Sequence, residues 1–332
     1  MVRHAFTRVG RTKVRLDFFV LPFEIRGMKQ IMSLAFVALL AACQTAPVET
    51  PVVTSPIEVS QTEETIETPV PIPGQQWLYG SAEASVSMRQ TWASIAGFVE
   101  TAAAAIPSHS VVLAPGSAPE QPSFLACEGK PLAAVFDADE TLIWNLGSMG
   151  YFTRSGIGFS PEIWDEWEKT GAGKAMPIPG ALAGLERIRA AGVTVIVNTN
   201  RDAVNAGGTE DTLRAAGIGD FTHGTTLFLR GDAPDGSGKD GRRAMISDNY
   251  CVIALVGDQL GDIADPFNDK TLSIADRRTL TDSPAVANLW GNGWFILPNP
   301  VYGPSIRGGF DDVFPPATQW EPTLPTDVPS IN

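Results

Sequence analysis

From about Gln76 onward, short unbroken apolar runs alternate with stretches of helical periodicity. Met88, Trp92, Ile95, Phe98 and Val99 recur at helical spacing and predict a leading helix over 77–104. A Pro/Ser/Gly-rich stretch over 107–130 reads as a connection. Ala133-Ala134-Val135-Phe136 then runs without polar alternation, the pattern of a strand buried on both faces of a parallel sheet. Further strands are expected at 193–197, 225–229, 251–256 and 294–297. Ser160-Pro161-Glu162 opens a helix, with an N-cap serine, proline in the first turn and an acid beside it. Pro179-Gly180 opens another, with Leu182, Leu185 and Ile188 expected inward and Gly192 as its stop. Two more helices are expected, one around 209–216 and one opened by Lys239 and carrying Arg242 and Arg243. Strands alternating with helices predict an α/β fold, a parallel sheet with right-handed crossovers. Residues 143–178 fall outside the alternation and read as an insertion after the first strand.

The strands stop in polar residues. The first ends in Asp137-Ala138-Asp139-Glu140-Thr141, the second in Asn198-Thr199-Asn200-Arg201, and the fourth in Gly257-Asp258-Gln259-Leu260-Gly261-Asp262. Ligands of open α/β sheets bind at this C-terminal edge. Two acids at i, i+2 repel unless a cation or a shared proton relieves them. Asp137-x-Asp139 alone would equally suit a solvated turn, but three such endings on one edge make a site.

Composition narrows the partners. The net charge is −13, and the first 29 residues carry seven Lys/Arg against two acids, a surplus of five, so the remainder carries −18. A chain this acidic lacks the basic face that a nucleic-acid polymer needs. An anionic small molecule is still admitted, because a bound metal reverses the field inside one pocket. The three cysteines and three histidines are scattered, without zinc-ligand spacing.

The N-terminal region reads as targeting. Residues 28–42 combine a basic start with an apolar run too short to span a bilayer, and Leu40-Ala41-Ala42-Cys43 has the form of a lipobox, with Cys43 as the lipidated residue. Met28 then serves as the expected start, which leaves 1–27 as an over-long N-terminal extension. Residues 43–75, rich in Pro, Thr, Val and Glu, read as a disordered tether, and 314–332 as a Pro-rich tail. Between them lies one domain, 76–313. Gln44 after the cysteine favours the outer membrane, so the expected location is the cell envelope, with the lipid as the membrane contact.

The set Asp137-x-Asp139-x-Thr141, Thr199, Lys239 and Gly257-Asp258-x-x-x-Asp262 resembles the four motifs of the haloacid-dehalogenase (HAD) superfamily. Gln76-Trp77-Leu78-Tyr79, Trp164-Asp165-Glu166-Trp167, Thr199-Asn200-Arg201 and Pro298-Asn299-Pro300-Val301-Tyr302-Gly303 narrow this to a resemblance to the class C acid phosphatases. These are secreted or lipid-anchored bacterial enzymes that include outer-membrane 5′-nucleotidases.

The resemblance implies a Rossmann-like parallel sheet flanked by helices, with a small, mainly helical cap over 143–178. It implies a Mg²⁺-dependent phosphatase acting on small phosphomonoesters. Asp137 would be the nucleophile, Asp139 the general acid/base, and Thr199 and Lys239 would hold the phosphoryl group. Asp137, Asp139 through its carbonyl, Asp258 and Asp262 would bind the metal. Trp164, Tyr302, Asn200 and Arg201 would meet the substrate, although Trp164 and Trp167 could instead pack the cap. A phosphotransferase, or a non-catalytic surface-binding lipoprotein, are the alternatives. Trp144-Asn145 departs from the Asp-Asn pair common in the family, and Trp144 is expected to alter pocket shape. Cys127 and Cys251 each precede strands expected to be neighbours, which allows a disulfide outside the cytoplasm.

Overall fold

The computed structural model describes residues 69–321 and 323. Cys43, the lipobox, the extension over 1–27 and most of the tether lie outside the described residues.

Nine strands are present among them: β1 (His109–Leu113), β2 (Phe124–Ala126), β3 (Leu132–Phe136), β4 (Ile143–Trp144), β5 (Met176–Pro177), β6 (Thr194–Asp202), β7 (Leu227–Arg230), β8 (Cys251–Gly257) and β9 (Trp294–Ile296). The central sheet is five-stranded, in the order β7-β6-β3-β8-β9. All its pairs are parallel, as the unbroken apolar runs predict. Side chains alternate between two cores. Ala134 and Phe136 join one, with Val195, Val197 and Val256; Ala133 and Val135 join the other, with Ile196, Val252 and Leu255.

The register of β8 on β3 slips once. Ala133 faces Val252 but Ala134 faces Ala254, so Ile253 is an extra residue. Continuing the Leu132–Cys251 register straight would set Gly257 beside Ala138. The bulge sets Val256 beside Phe136, so the Asp137 N–H donates to the Val256 carbonyl at 2.9 Å and the two acidic ends meet.

The first core is covered by the helix Ala82–Ala105. Ser81 caps it, its hydroxyl accepting from the Ala84 N–H, and Glu83 lies in the first turn. Trp92 stacks on Phe136 with ring centroids 5.4 Å apart. Against the other edge of Trp92 lies Gly184, where a Cβ would stand 2.5 Å from the ring. Emptying this position by Trp92→Ala should cost about 3–5 kcal/mol.

Several expectations are corrected. The leading helix does not run unbroken from 77: Gln76–Gly80 form a separate wide turn, and helical backbone already occurs at Pro73–Gln75, inside the expected tether. The connection over 107–130 contains the antiparallel β1–β2 hairpin, whose apolar content is too short to stand out. Leu182 is not inward but 44% exposed; Ala181 and Gly184 take the inner face with Leu185 and Ile188, because close packing on Trp92 admits only small residues. The cap carries two helices, Leu146–Ser155 and Pro161–Thr170, joined to the core by the short β4–β5 pair. The first went unpredicted because its three polar-to-small interruptions, Gly147, Ser148 and Gly150, break the apolar period. A helix at Ile274–Thr281 was likewise missed. No helix among the described residues is long and apolar enough to cross a membrane.

Candidate active site

The C-terminal ends of β3, β6 and β8 open into a cavity of about 590 Å³. Its floor is polar, with Asp137, Asp139, Asn200, Lys239, Asp258 and Asp262. Its outer wall is apolar, with Met149, Phe159, Trp164, Tyr302 and Pro304.

Asp137, Asp258 and Asp262 each place a carboxylate oxygen within 4.8 Å of the others. The ammonium of Lys239 ties two of them together, 2.5 Å from Asp137 Oδ1 and 2.7 Å from Asp262 Oδ1, and donates to the Asn198 carbonyl at 2.8 Å. Lys239 stands just ahead of the helix Asp240–Asn249. Its backbone N–H is held by Asp265 at 2.8 Å. One cation, among the described residues, against two buried carboxylates and the half-buried Asp262 leaves the cluster short of positive charge. Burial therefore pushes Asp137 well above the usual carboxylate range, with Lys239 opposing and Asp262, Asp258 and Asp139 adding. Asp258 is pushed up to about 7 by burial and by Asp262, against hydrogen bonds from Asn299 and Gln259. Burial pulls Lys239 down, but Asp137 and Asp262 outweigh it and hold the ammonium charged.

A second cation brought to such oxygen donors would complete the charge balance. Three carboxylates without His or Cys suit a hard divalent ion. Close approach is built in at Gly257, where a Cβ would stand 2.1 Å from that of Asp262.

Asp139 lines the cavity but lies outside this cluster. Its Oδ1 accepts from Arg201 Nη2 at 2.7 Å and from Asn145 Nδ2 at 2.9 Å. Arg201 is therefore committed. It is 1% exposed, absent from the cavity wall, and turned toward Asp139, so the expected substrate contact is corrected to a partner of Asp139. The reason is alternation along β6, which sends Arg201 inward and leaves its neighbour Asn200 exposed at the cavity. Thr199 is fully buried beneath the cavity rather than on its wall. Its Oγ1 accepts from the Arg201 N–H at 3.3 Å, and its own hydroxyl proton meets no acceptor among the described residues.

Of the two cap tryptophans, Trp164 lines the cavity while Trp167 is buried, donating from Nε1 to Asn145 at 2.9 Å. Trp144 is not on the wall; it packs edge-on against Tyr79 at 5.9 Å. The expected effect of Trp144 on pocket shape has no direct contact to act through.

Sequence reasoning missed Glu140, Asn145 and Asn299 as functional positions. Glu140 is fully buried, sits at φ 55°, and accepts from the hydroxyls of Tyr79 and Tyr302 and from Asn145. Burial and the Asp139 charge raise it to about 7 against the bonds from Tyr302 and Asn145. Asn299 donates to Asp258 at 2.7 Å. The signal available was an acid directly after Asp139 and an asparagine between two prolines, both easily read as surface turns. Cys127 and Cys251 are joined in a disulfide at the start of β8, at the end of the sheet away from the site.

A family model described as HAD superfamily, subfamily IIIB (acid phosphatase), matches residues 104–305. The chain belongs to that family. The match covers every element that carries the cluster, from β3 to the segment after β9. Phosphomonoester hydrolysis is thus the activity of the site. Among solved structures, the fold is similar to that of the class C acid phosphatase from Bacillus anthracis, with a TM-score of 0.56, 23% identity, and coverage of 69% of this chain and 84% of that one. The tungstate-bound crystal structure of the class C acid phosphatase from Bacillus anthracis gives 0.55, 22%, and the same coverages. This phosphatase shares with them an α/β fold with a parallel sheet flanked by helices.

Proposed function

We propose that this acid phosphatase hydrolyses phosphomonoesters of aromatic-bearing alcohols, nucleoside 5′-monophosphates foremost, with Mg²⁺ and through an aspartyl-phosphate on Asp137. The observation that carries the reading is the union of two features in one cavity: the Asp137–Lys239–Asp262 cluster on the floor and the Trp164–Tyr302 side of the wall. Rings such as these stack on any base, so breadth among bases is expected.

Asp137, Asp258 and Asp262, with the Asp139 carbonyl, would hold Mg²⁺, which when bound neutralises repulsion between carboxylate and phosphate. The residues do the rest. Asp137 attacks phosphorus; the new P–O bond forms as the ester P–O bond breaks, its electron pair going to the leaving oxygen. Asp139 gives that oxygen a proton, then takes one from the water that attacks the acyl phosphate. Phosphate leaves and Asp137 is restored. Lys239 keeps a fixed positive charge beside the nucleophile, and the Asn200 amide, on the cavity wall, is a donor for phosphoryl oxygens.

The domain over 76–313 would be displayed from the outer membrane through a lipid on Cys43; the mass of the mature N-terminus tests that separately. The function is tested by phosphate release from nucleotides, sugar phosphates and aryl phosphates, with Mg²⁺ or with EDTA. Release that prefers aromatic esters, stops with EDTA and is absent in Asp137→Asn is expected. Full activity in Asp137→Asn rejects the assignment.

A further inference from the structure

Asn145 lies at the centre of a hydrogen-bond hub that links Asp139 to the cap. It is fully buried, directly after β4. Nδ2 donates to Asp139 Oδ1 at 2.9 Å and to Glu140 Oε2 at 3.2 Å. Oδ1 accepts from Trp167 Nε1 at 2.9 Å and from Arg201 Nη2 at 2.9 Å. The amide has one sensible orientation, since flipping it would set its NH₂ against two N–H donors and its oxygen against two carboxylates. The residue's backbone takes part as well. Its N–H donates to Glu140 at 3.0 Å, and its carbonyl accepts from the Met149 N–H at 3.0 Å as the next helix begins.

The two oxygens of Asp139 are therefore unequal. Oδ1 receives Arg201 Nη2 at 2.7 Å, Arg201 Nε at 3.0 Å and Asn145 Nδ2 at 2.9 Å. Oδ2 receives only Arg201 Nε, at 3.2 Å. An oxygen ringed by donors cannot itself carry a proton without setting hydrogen against hydrogen. A proton on this carboxyl belongs on Oδ2.

We propose that Asn145 is a positioning residue for the acid/base step: with Arg201 it saturates Oδ1 of Asp139, so that Oδ2 is the atom that gives and takes the proton, and through Trp167 it ties this geometry to the cap helix carrying Trp164. The inference rests on the acid/base reading of Asp139 given above. In the step, the Oδ2–H bond breaks and a hydrogen–oxygen bond forms at the leaving alkoxide, which has received the electron pair of the ester P–O bond. Trp164 and Trp167 share one helix, and the Arg201 guanidinium stands 5.8 Å from the Trp164 ring centroid. A cap helix seated correctly thus sets both the substrate wall and the acid.

A residue that merely supports the fold affects all substrates alike. A residue that aims an acid matters most when the leaving group is a poor one, and general acid catalysis is worth roughly 10²–10⁴-fold. The experiment is a kcat/KM series over p-nitrophenyl, phenyl and alkyl phosphates for the full-length wild type, Asp139→Asn, Asn145→Ala and Trp167→Phe, because kcat/KM reports the step that expels the leaving group whereas kcat also contains the later hydrolysis common to all esters. Asn145→Ala is expected to lose on the order of 10–100-fold on the alkyl ester and a few-fold on p-nitrophenyl phosphate, with KM changed little. Trp167→Phe, which leaves the Asn145 side chain in place and serves if Asn145→Ala does not fold, is expected to show the same trend at several-fold size. Asp139→Asn should show the steepest trend. Uniform loss across esters in Asp139→Asn overturns the acid/base reading and this inference with it. A steep trend in Asp139→Asn with uniform loss in Asn145→Ala and Trp167→Phe overturns the role of Asn145 alone.

Discussion

The hydroxyl of Tyr302 donates to the buried carboxylate of Glu140, 162 residues earlier in the chain. The bond joins a ring on the cavity wall to the loop that carries Asp137 and Asp139. The same segment is tied at its other end, where the Asn299 amide donates to Asp258 and its oxygen accepts from the Val301 N–H at 2.9 Å. The substrate wall and the acidic floor are therefore one hydrogen-bonded unit. Burial and the nearby Glu140 and Asp258 charges raise Tyr302 well above the usual phenol range, so the hydroxyl stays a donor.

Tyr302→Phe keeps the ring and removes this bond. It is expected to cost about 1.5–3 kcal/mol of stability, read from urea unfolding, because a donor to a buried charged group is lost. KM for nucleoside monophosphates and aryl phosphates should rise several-fold, while KM for glycerol phosphate stays near wild type. Equal rises for both classes would separate Tyr302 from recognition of the aromatic part.

Lys239→Met removes the only side-chain cation that, among the described residues, pairs with the three clustered carboxylates. Turnover is expected to fall on the order of 10²–10³-fold, the scale of losing one preorganised charge-stabilising donor. Steady-state kinetics with saturating Mg²⁺ reads it. A loss under tenfold would mean that the metal alone supplies the needed charge.

Metal and pH should act on stability together. Asp258 is raised to about 7, and Asp137 is raised as well, both chiefly by burial. A carboxylate raised in the folded state binds protons more tightly there than in the unfolded chain, so the metal-free protein loses stability as pH climbs from the ordinary carboxylate value of about 4 toward 7. A divalent cation favours the ionised carboxylates and reverses this loss. The gain in Tm on adding MgCl₂ should thus be larger at pH 7.5 than at pH 5.5. Equal gains, measured by calorimetry, would count against these carboxylates as the binding site.

Opening the Cys127–Cys251 disulfide releases a loop of 124 residues. Chain-entropy reasoning gives about 5 kcal/mol for a loop of that length. Urea unfolding with and without reductant should show a shift in midpoint of corresponding sign, with activity retained in the folded reduced protein because the bond lies at the opposite end of β8 from Asp258. Loss of activity before unfolding would show that the bond reaches the site.

What the chain determined by itself is local and repetitive. Unbroken apolar runs require strands buried on both faces. Acids placed directly after those runs must emerge on one sheet edge, and Ser160-Pro161-Glu162 starts a helix whatever surrounds it. From these the α/β class and the membership of Asp137, Asp139, Lys239, Asp258 and Asp262 in one site were legible. The remainder depends on register and on contacts between distant segments. The bulge at Ile253 decides how far Asp258 lies from Asp137, yet Ile253 is one more apolar residue in an apolar run. Arg201 could read as a substrate clamp until β6 turned it onto Asp139, 62 residues earlier. Glu140 and Asn145 gained their roles only when Tyr79, Tyr302, Trp167 and Arg201 converged on them. A side chain's partners across such separations are set by how strands pair and which face packs, and no local pattern of polar and apolar residues contains that information.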